Sequence, residues 1–540
     1  MTNSAVPDAS VEVSNLRLEG SPPTATLKAK DFFPFVDELG QYRHADWPGK
    51  VSSPTELADD IAREAADIAI HGESPEKWNR YGGWEGGPQL EATGQFRLEK
   101  RDGKWWLVDL EGRLFWSHGV TSVISISSDD HTGVTRRENY FSLIPKEGPP
   151  GAFYRPGEWK TRFYASGDFH TYNFKGANLY RKYGDKWREA YFTSAASRLQ
   201  SWRLNSVGAF SYAWRTPISR KVPYLDLLRA NRPVRLAPKG RSSIFPDPFD
   251  DGFRPAIRRA IQDYTDKYRE NGITDNDPMR IGFFLDNEPD WGYDPEYVAR
   301  VVLRTPENQA ARIAFADYLR TQYSNIDALN AAWGTKHPDW RSWLASTDVP
   351  SGQKTAVKRD LAGFNKLIAH KYFSSYKEEI NKAFPGSLIF GVRFSGPPDD
   401  SVLYVAAEYC DALAMNMYCP TVAGIHPPKG VDKPFIMGEF HFGALDRGLL
   451  HPGLSPVRNQ AERAKVYIRY VQSALHNPYI VGTHYYQYGA QAVAGRVDGE
   501  AYDIGMVDIC DRPCPELIQA IRDIGNRLYS ERRNATLPPW

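Results

Sequence analysis

Two glutamates each follow a short apolar run of the kind that forms a buried strand. Glu288 closes the stretch GFFLDNE, and Glu439 lies near the end of PFIMGEF. A strand end is a rigid place to mount a reacting group. We therefore interpret both residues as candidate catalytic carboxyls. The alternative for either residue taken alone is a structural ion pair.

Cleavage of a glycosidic bond requires such a pair of carboxyls. One carboxylic acid protonates the leaving oxygen, while the other is ionised and attacks the anomeric carbon. A separation of about 5 to 5.5 Å leads to retention of configuration through a covalent glycosyl-enzyme. The two groups must therefore differ in protonation state, which their surroundings decide. Metal chemistry fits less well because no H-E-x-x-H or comparable spacing occurs, and we expect neither a metal nor a cofactor.

The elements that would position this pair are parallel β/α units. From about residue 114, short apolar runs alternate with longer helical patterns. The candidate strands are LFWSHGV, SVGAFSY, VPYLDLL, RIGFFLD, SLIFGVRF, DALAMNMY, PFIMGEF and YIVGTHYY. The sequence therefore predicts an α/β fold, a (β/α)8 TIM barrel with an N-terminal extension and long β/α loops. Strands four and seven face one another across the mouth of such a barrel, where its active sites lie.

The connections between the predicted strands contain helices and two long segments. Helical spacing is exemplified by apolar residues at 257, 260, 261, 264 and 268. The long segments cover roughly 121–183, which is loop-like, and 290–386, which has helices of its own. Loops of that length inside a compact fold usually build or cover a site.

Residues 1–110 are predicted to form an N-terminal extension that packs on a catalytic barrel of residues 111–540. The first ~25 residues are polar and are expected to fray. In the helical stretch SPTELADDIAREAADIAI, Ser53 is predicted to be the N-cap, Pro54 the first helical residue and Glu56 the partner in a capping box. The stretch GQFRLEKRDGKWWLVDLEGRLFW is predicted to form a hairpin, with Asp-Gly and Glu-Gly turns.

The composition favours a neutral partner. Lys and Arg number 67 against 66 Asp and Glu, so no global field favours nucleic acid or an anionic membrane. No segment approaches the 18 uninterrupted apolar residues of a membrane span, and no export signal is visible. We therefore expect a soluble protein, either cytoplasmic or a processed periplasmic or secreted form. The four cysteines are expected to be ordinary thiols. The sequence gives no indication of the oligomeric state.

Several stretches together resemble the β-agarases of glycoside hydrolase family 50. They are PFVDELGQYRHADWPGKV, EATGQFRLEKRDGKWWLVDLEGRLFWSHGV, GFFLDNEPDWG, ALNAAWGT, MGEFHFGALDRG and AGRVDGEAYDIGMVD, which occur in this order over most of the chain. The resemblance implies retaining hydrolysis of β-1,4 galactosidic links in agarose, often from a chain end, with a galactan polysaccharide or oligosaccharide as the substrate. Two features depart from it. A separate carbohydrate-binding domain before the barrel is not expected, and THYYQY has tyrosine where a tryptophan is expected after the histidine.

The resemblance also assigns roles, because the retaining glycosidase superfamily carries Asn-Glu on strand four and Glu on strand seven. It implies that Glu288 is the acid/base, that Glu439 is the nucleophile, and that Asn287 binds the sugar 2-hydroxyl.

Further candidates lie at or beyond predicted strand ends. Trp291 is interpreted as a platform on which a sugar stacks. Tyr418 could hydrogen-bond Glu439 or be a core residue, and Arg393 could pair with either glutamate or bind substrate oxygens. The remaining candidates for contacts to sugar hydroxyls, each with a structural alternative, are His118, Asn416, His441, His484, Gln487 and Glu500.

Two other functions stay open. The same pair of glutamates could serve a β-galactosidase-like hydrolase of another marine galactan or its oligosaccharides. The chain could also be a carbohydrate-binding protein on a degenerate barrel, although the presence of both Glu288 and Glu439 argues against decay.

Overall fold

The computed structural model describes residues 29–536, except 73, 75, 124–130, 158–168, 212, 215–221, 237–244 and 351–353. The predicted fraying of the first ~25 residues lies outside this part. The fold is mixed α/β. Its strands are β1 (Arg97–Arg101), β2 (Lys104–Val108), β3 (Leu114–Phe115), β4 (Ser117–Val120), β5 (Thr132–Gly133), β6 (Tyr154–Pro156), β7 (His170–Tyr172), β8 (Ser206–Val207), β9 (Tyr224–Leu228), β10 (Arg280–Leu285), β11 (Leu388–Ile389), β12 (Arg393–Phe394), β13 (Leu413–Asn416), β14 (Phe435–Phe440) and β15 (Ile480–Tyr485).

The α-helices of the described residues are Ala29–Phe32, Glu56–Ile70, Gly148–Gly151, Phe174–Tyr183, Trp187–Ser201, Phe253–Glu270, Tyr297–Leu303, Ala310–Gln322, Ile326–Trp333, Trp340–Ala345, Thr355–Ala383, Asp400–Tyr409, Gln460–His476, Pro515–Gly525 and Leu528–Asn534. Within the described ranges, no helix has both the length and the apolar character of a membrane span.

Nine parallel strands form the main sheet, in the order β11-β10-β9-β8-β4-β15-β14-β13-β12. Each of the eight stretches predicted as strands contributes to this sheet, and SLIFGVRF contributes both edge strands. The strands are short and buried, because helices and connecting segments cover them, which is typical of parallel sheets.

The sheet curls strongly, because its two edges, β11 and β12, are separated by only residues 390–392. On one side of this segment, Phe390 N–H donates to Phe283 O at 2.8 Å and Leu285 N–H donates to Gly391 O at 2.9 Å. On the other side, Asp411 N–H donates to Ile389 O at 2.8 Å. Gly391 has φ +68°, a conformation that glycine adopts without steric cost.

The N-terminal part carries the predicted hairpin as a separate antiparallel sheet, β1-β2-β3, and the turns fall at Asp102–Gly103 and near Gly112. The predicted capping box is wrong. The N-cap is Thr55, whose side chain makes no cap hydrogen bond, because the chain first forms a tight turn in which Glu56 N–H donates to Ser53 O at 3.2 Å.

A buried ion network fastens the helix Glu56–Ile70 to the rest of the molecule. Arg198 and Lys182 both pair with Glu64 of this helix, at 2.6 and 3.0 Å, and with Asp511, at 2.7 and 2.8 Å. Each charge therefore has an opposite partner, as burial requires.

The two long connections differ from each other. The connection 121–183 was predicted to be loop-like, but its described part holds the antiparallel sheet β5-β7-β6 and the helix Phe174–Tyr183. The connection 290–386 was predicted to contain helices, and its described part contains five. A stacked pair of rings, Phe315 and Phe364, at 4.2 Å lies between two of them.

Candidate active site

A cavity of about 420 Å³ lies where several parallel strands end, and both predicted catalytic glutamates line it. We call it the first cavity. The side chains come from β14 itself and from the segments that follow β4, β7, β8, β9, β10, β13, β14 and β15. The alternating β/α pattern thus gathers residues that are far apart in sequence at one end of the sheet.

Glu439 lies within β14 and is 5% exposed. Arg393 Nη1 lies 2.8 Å from Glu439 Oε1, and the hydroxyl of Tyr418 donates to Oε2. Burial is the main cause that raises the pKa of Tyr418 well above its usual value. The phenol therefore remains protonated and acts as a donor. A guanidinium and a phenol therefore contact the two carboxyl oxygens of Glu439.

Arg393 is completely buried and is held by protein groups. Besides Glu439, Nη1 donates to Asn287 Oδ1 at 2.8 Å, and Nη2 donates to Gly438 O at 2.5 Å. A Cβ on Gly438 would lie 2.8 Å from Arg393 Nε and 2.9 Å from Asn416 Oδ1, so a side chain here would displace the guanidinium. Of the two roles predicted for Arg393, the structure shows the ion pair with a glutamate.

Glu288 is three residues beyond the end of β10 and is half-buried. Its φ is +52°, and that of Asp286 is +50°, so the chain turns sharply through conformations that non-glycine residues rarely adopt. Asp286 accepts hydrogen bonds from Tyr372 and Tyr376, both at 2.7 Å, which fixes this turn. The burial of Asp286 raises the pKa of its carboxyl.

The Glu288 carboxyl accepts a hydrogen bond from the neutral amide of Asn416, whose Nδ2 lies 2.8 Å from Oε1. Asn416 is the last residue of β13 and is buried. The predicted reader of sugar hydroxyls is therefore bound to the predicted acid/base.

Four more predicted residues line the first cavity: Asn287, His441, Gln487 and Glu500. The Nε2 atom of His441 accepts a hydrogen bond from Leu454 N–H at 2.8 Å, and its ring lies 4.6 Å from that of Tyr418. Burial lowers the pKa of His441 to about 3, so the ring is neutral.

Gln487 and Glu500 are held by neighbours in the segment that follows β15. Gln487 Nε2 donates to Gly489 O at 2.9 Å, while Glu500 accepts from Gln491 Nε2 at 2.8 Å and pairs with Arg496 at 2.9 Å. These bonds orient both side chains at the wall of the cavity.

The two other histidines that were predicted to contact sugar lie outside the cavity. His118 is fully buried, with Nδ1 2.8 Å from Arg203 O and Nε2 2.8 Å from Tyr467 Oη, so both ring nitrogens are occupied. His484 is also fully buried and contacts Ser117 Oγ at 2.9 Å. Burial lowers the pKa of His118 to about 4 and that of His484 to about 3. The predictions for both residues are corrected to core positions.

Trp291 is a third correction. Its side chain is 2% exposed, lies parallel to Phe373 at 5.7 Å and meets the edge of Phe245 at 4.7 Å. A ring that is enclosed by other rings cannot offer a face to a sugar. The residue anchors the segment after Glu288 in the core.

Sequence reasoning missed several residues of the first cavity, which are Ser122, Lys175, Phe210, Arg229, Leu454, Tyr486, Gly489, Arg496, Asp498 and Tyr502. Two signals were available. Lys175 belongs to the long connection 121–183, and Arg496 to Tyr502 fall in the stretch GRVDGEAYDIG. Tyr486 belongs to the stretch THYYQY, beside the position at which a tryptophan was expected.

A second cavity of about 450 Å³ adjoins the first and shares Arg229, Asn287 and Glu288 with it. Its other lining residues include Arg235 and Asp290, whereas Glu439 lines only the first cavity. Glu288 therefore lies where the two cavities meet. Within the described ranges, no three His, Cys, Asp or Glu side chains are grouped as metal ligands would be.

Comparisons with known proteins extend over nearly the whole chain. No family model matches it. The chain is 31% identical to Beta-agarase B of Vibrio sp. (strain JT0107) over 566 residues, which cover 97% of the chain and 57% of that protein. The chain thus spans just over half the length of this curated relative.

Two solved structures are similar in fold and sequence. The structure titled PfGH50B gives a TM-score of 0.82 at 28% identity and covers 93% of this chain and 76% of its own. A structure of an exo-β-agarase gives 0.83 at 28% identity, with 93% and 74% covered. Sequence and fold therefore agree in relating the chain to proteins named β-agarases and to the structure titled PfGH50B.

Proposed function

We propose that the protein is a retaining glycoside hydrolase that cleaves β-1,4 galactosidic links in agarose or agaro-oligosaccharides, with exo action. The observation that carries this proposal is the pair Glu288 and Glu439, which line one cavity in different surroundings. The relatives named as agarases supply the substrate class, and the neighbour titled exo-β-agarase supplies the mode of action.

Glu439 acts as the nucleophile in this proposal. Arg393 and Tyr418 keep its carboxyl ionised and aimed, so that it attacks the anomeric carbon and forms a glycosyl-enzyme. When the ester forms, the negative charge on Glu439 disappears.

Glu288 acts as the acid and then as the base. It first protonates the glycosidic oxygen as the bond breaks, and then removes a proton from the water that attacks the ester. Two displacements at one carbon restore the original configuration. Asn416 orients the carboxyl through both steps.

Asn287 is proposed to bind the 2-hydroxyl of the sugar in the first cavity. Its amide oxygen already accepts a hydrogen bond from Arg393, so the amide nitrogen is the group that donates to the substrate. His441, Gln487 and Glu500 are proposed to contact the other hydroxyls.

The two cavities suggest the direction of binding. The sugar that becomes attached to Glu439 must occupy the first cavity, and the leaving part must lie on the side of the acid, Glu288. The second cavity is therefore proposed to hold the leaving part of the chain.

The scaffold is proposed to be a complete (β/α)8 barrel in residues 111–540, on which residues 1–110 pack as an extension. The hydrogen bonds that reach residues 388–394 from both sides support closure of the sheet. The ion pairs of Glu64 support the packing of the extension.

The test is to incubate the protein with agarose, porphyran, carrageenan and aryl β-galactosides and to measure new reducing ends and product lengths. We expect activity on agarose, with one short product from the first minutes. A mixture of long products would indicate endo action. Activity on another galactan alone would favour the alternative hydrolase, and no activity on any of them would favour a binding protein.

A further inference from the structure

One aromatic ring is strongly exposed beside the second cavity. Tyr293 is 69% exposed, although the chain contains 26 Phe, 30 Tyr and 15 Trp. Among the Phe, Tyr and Trp side chains that the structure describes, Tyr404 is the next most exposed, at 41%. Single exposed apolar side chains are common on protein surfaces, so the place of this ring beside the second cavity is what suggests a ligand.

The position of Tyr293 relates it to the second cavity. It is three residues after Asp290, which lines that cavity. A Cβ placed on Gly396 would lie 3.9 Å from the ring of Tyr293, and the preceding residue, Ser395, also lines the cavity. The ring therefore stands next to residues that flank the lining of the second cavity.

The backbone that presents the ring is braced on both sides. Before it, Trp291 is buried in the core, and Asp290 accepts a hydrogen bond from Tyr297 at 2.5 Å. After it, Asp294 pairs with Arg300 at 2.5 Å. A ligand that stacks on Tyr293 therefore has little backbone to order, which lowers the entropic cost of binding.

We propose that Tyr293 is a stacking platform for the leaving part of a neutral galactan, beyond the sugar units that fill the second cavity. The flat ring offers its face to the C–H groups of a sugar, as aromatic side chains do at carbohydrate sites. Lys and Arg number 67 against 66 Asp and Glu in the chain, so no excess of positive charge favours a sulfated chain over a neutral one. The inference rests on the proposed function and adds a specificity residue to it.

The test compares Tyr293→Ala and Tyr293→Phe with the parent on agarose and on an aryl β-galactoside, which is too short to reach the ring. For Tyr293→Ala we expect the KM on agarose to rise about fivefold with little change in kcat. The kinetics on the aryl β-galactoside should equal those of the parent. Tyr293→Phe should behave as the parent on both substrates because it keeps the ring.

Tyr404→Ala is the matched control, since it removes another exposed tyrosine from the helix Asp400–Tyr409. It should leave the KM on agarose unchanged. Thermal unfolding of all variants should match the parent, because an exposed ring contributes little to the core.

The outcomes separate this inference from the proposed function. If the parent does not cleave agarose, the proposed function fails. If the parent cleaves agarose and Tyr293→Ala has the parent's KM on it, the platform is refuted while the function stands. An equal loss on the aryl β-galactoside would also refute the platform, because the ring would then act on the first cavity or on the fold.

Discussion

The two glutamates of the first cavity lie in contrasting surroundings. Glu439 is part of β14, nearly buried, and contacted by a guanidinium and a phenol. Glu288 lies outside regular structure at a positive φ, half-buried where two cavities meet, and it accepts a hydrogen bond from the neutral amide of Asn416.

The contrast explains how one residue type can supply two protonation states. A guanidinium and a phenol contact Glu439, the proposed nucleophile. The neutral amide of Asn416 contacts Glu288, the proposed acid/base, which must gain and lose a proton in each cycle. Four variants test this difference and a fifth tests stability, and they are described from the largest expected effect to the smallest.

Glu439→Gln is expected to reduce kcat on the order of 10⁵-fold, because the amide cannot form the glycosyl ester. The measurement is the release of reducing ends from agarose, with circular dichroism to verify the fold. Activity near that of the parent would remove Glu439 from the nucleophile role.

Glu288→Ala is expected to reduce activity about 10²- to 10⁴-fold on agarose and less on aryl β-galactosides with good leaving groups. Azide should partly restore turnover of the aryl substrates, because it attacks the glycosyl-enzyme without a base, and the product should be a β-glycosyl azide. An α-glycosyl azide would show that the roles of the two glutamates are exchanged.

Tyr418→Phe removes a donor from Glu439 and should lower kcat about tenfold to a hundredfold, since hydrogen bonds to charged groups contribute about 1.5–3 kcal/mol. Tyr470→Phe is the matched control. Its hydroxyl donates to Met417 O at 3.1 Å, close to the site but not to a carboxylate. Equal losses in both variants would point to a general packing effect.

Asn416→Ala removes the neutral donor from Glu288 and should lower kcat about fivefold to tenfold, less than Tyr418→Phe. In a Glu288→Ala background the same change should have almost no further effect, because its partner is already absent. A full additional loss in the double variant would show that Asn416 acts on something other than Glu288.

Asp503→Asn concerns stability rather than turnover. Burial raises the pKa of Asp503 to about 7, against the attraction of Arg463 and Arg447 and with the repulsion of Asp446 and Asp508. Because the folded state holds this proton more tightly than the unfolded state, ionisation costs stability as pH rises from about 4 to about 7. In Asp503→Asn, which has no carboxyl to ionise at this position, the free energy of unfolding should lack this part of its decline with pH.

The measurement is chemical denaturation of the parent and of Asp503→Asn at several pH values. The difference in their free energies of unfolding should change between about pH 4 and 7 and then level off. Catalysis should change little, since Asp503 does not line the first cavity. A pH-independent difference would contradict the raised pKa.

The strands were predictable because each is a short apolar run, and burial of a strand in a parallel sheet requires that pattern. The carboxyl ends of these runs then located Glu288 and Glu439 at the site. The same reasoning failed for His118 and His484. A position near a strand end does not tell whether the side chain reaches the mouth or fills the layer below it.

The prediction that Trp291 is a sugar platform failed for a related reason. An aromatic residue beside a catalytic candidate can face a ligand or anchor the chain, and both choices have the same local sequence. For Lys175 and Arg496 the sequence offered only the long connection 121–183 and the stretch GRVDGEAYDIG, because the path of such segments depends on the packing of other segments.

By itself the sequence determined the alternation of strands and helices, the two carboxyls at strand ends and the near absence of net charge, since these are local or summed properties. Only the tertiary structure decided what each carboxyl contacts. Asn416 reaches Glu288 across 128 positions of the chain, and Arg393 reaches both Asn287 and Glu439. Protonation and orientation depend on such neighbours, which only the folded chain brings within hydrogen-bonding distance.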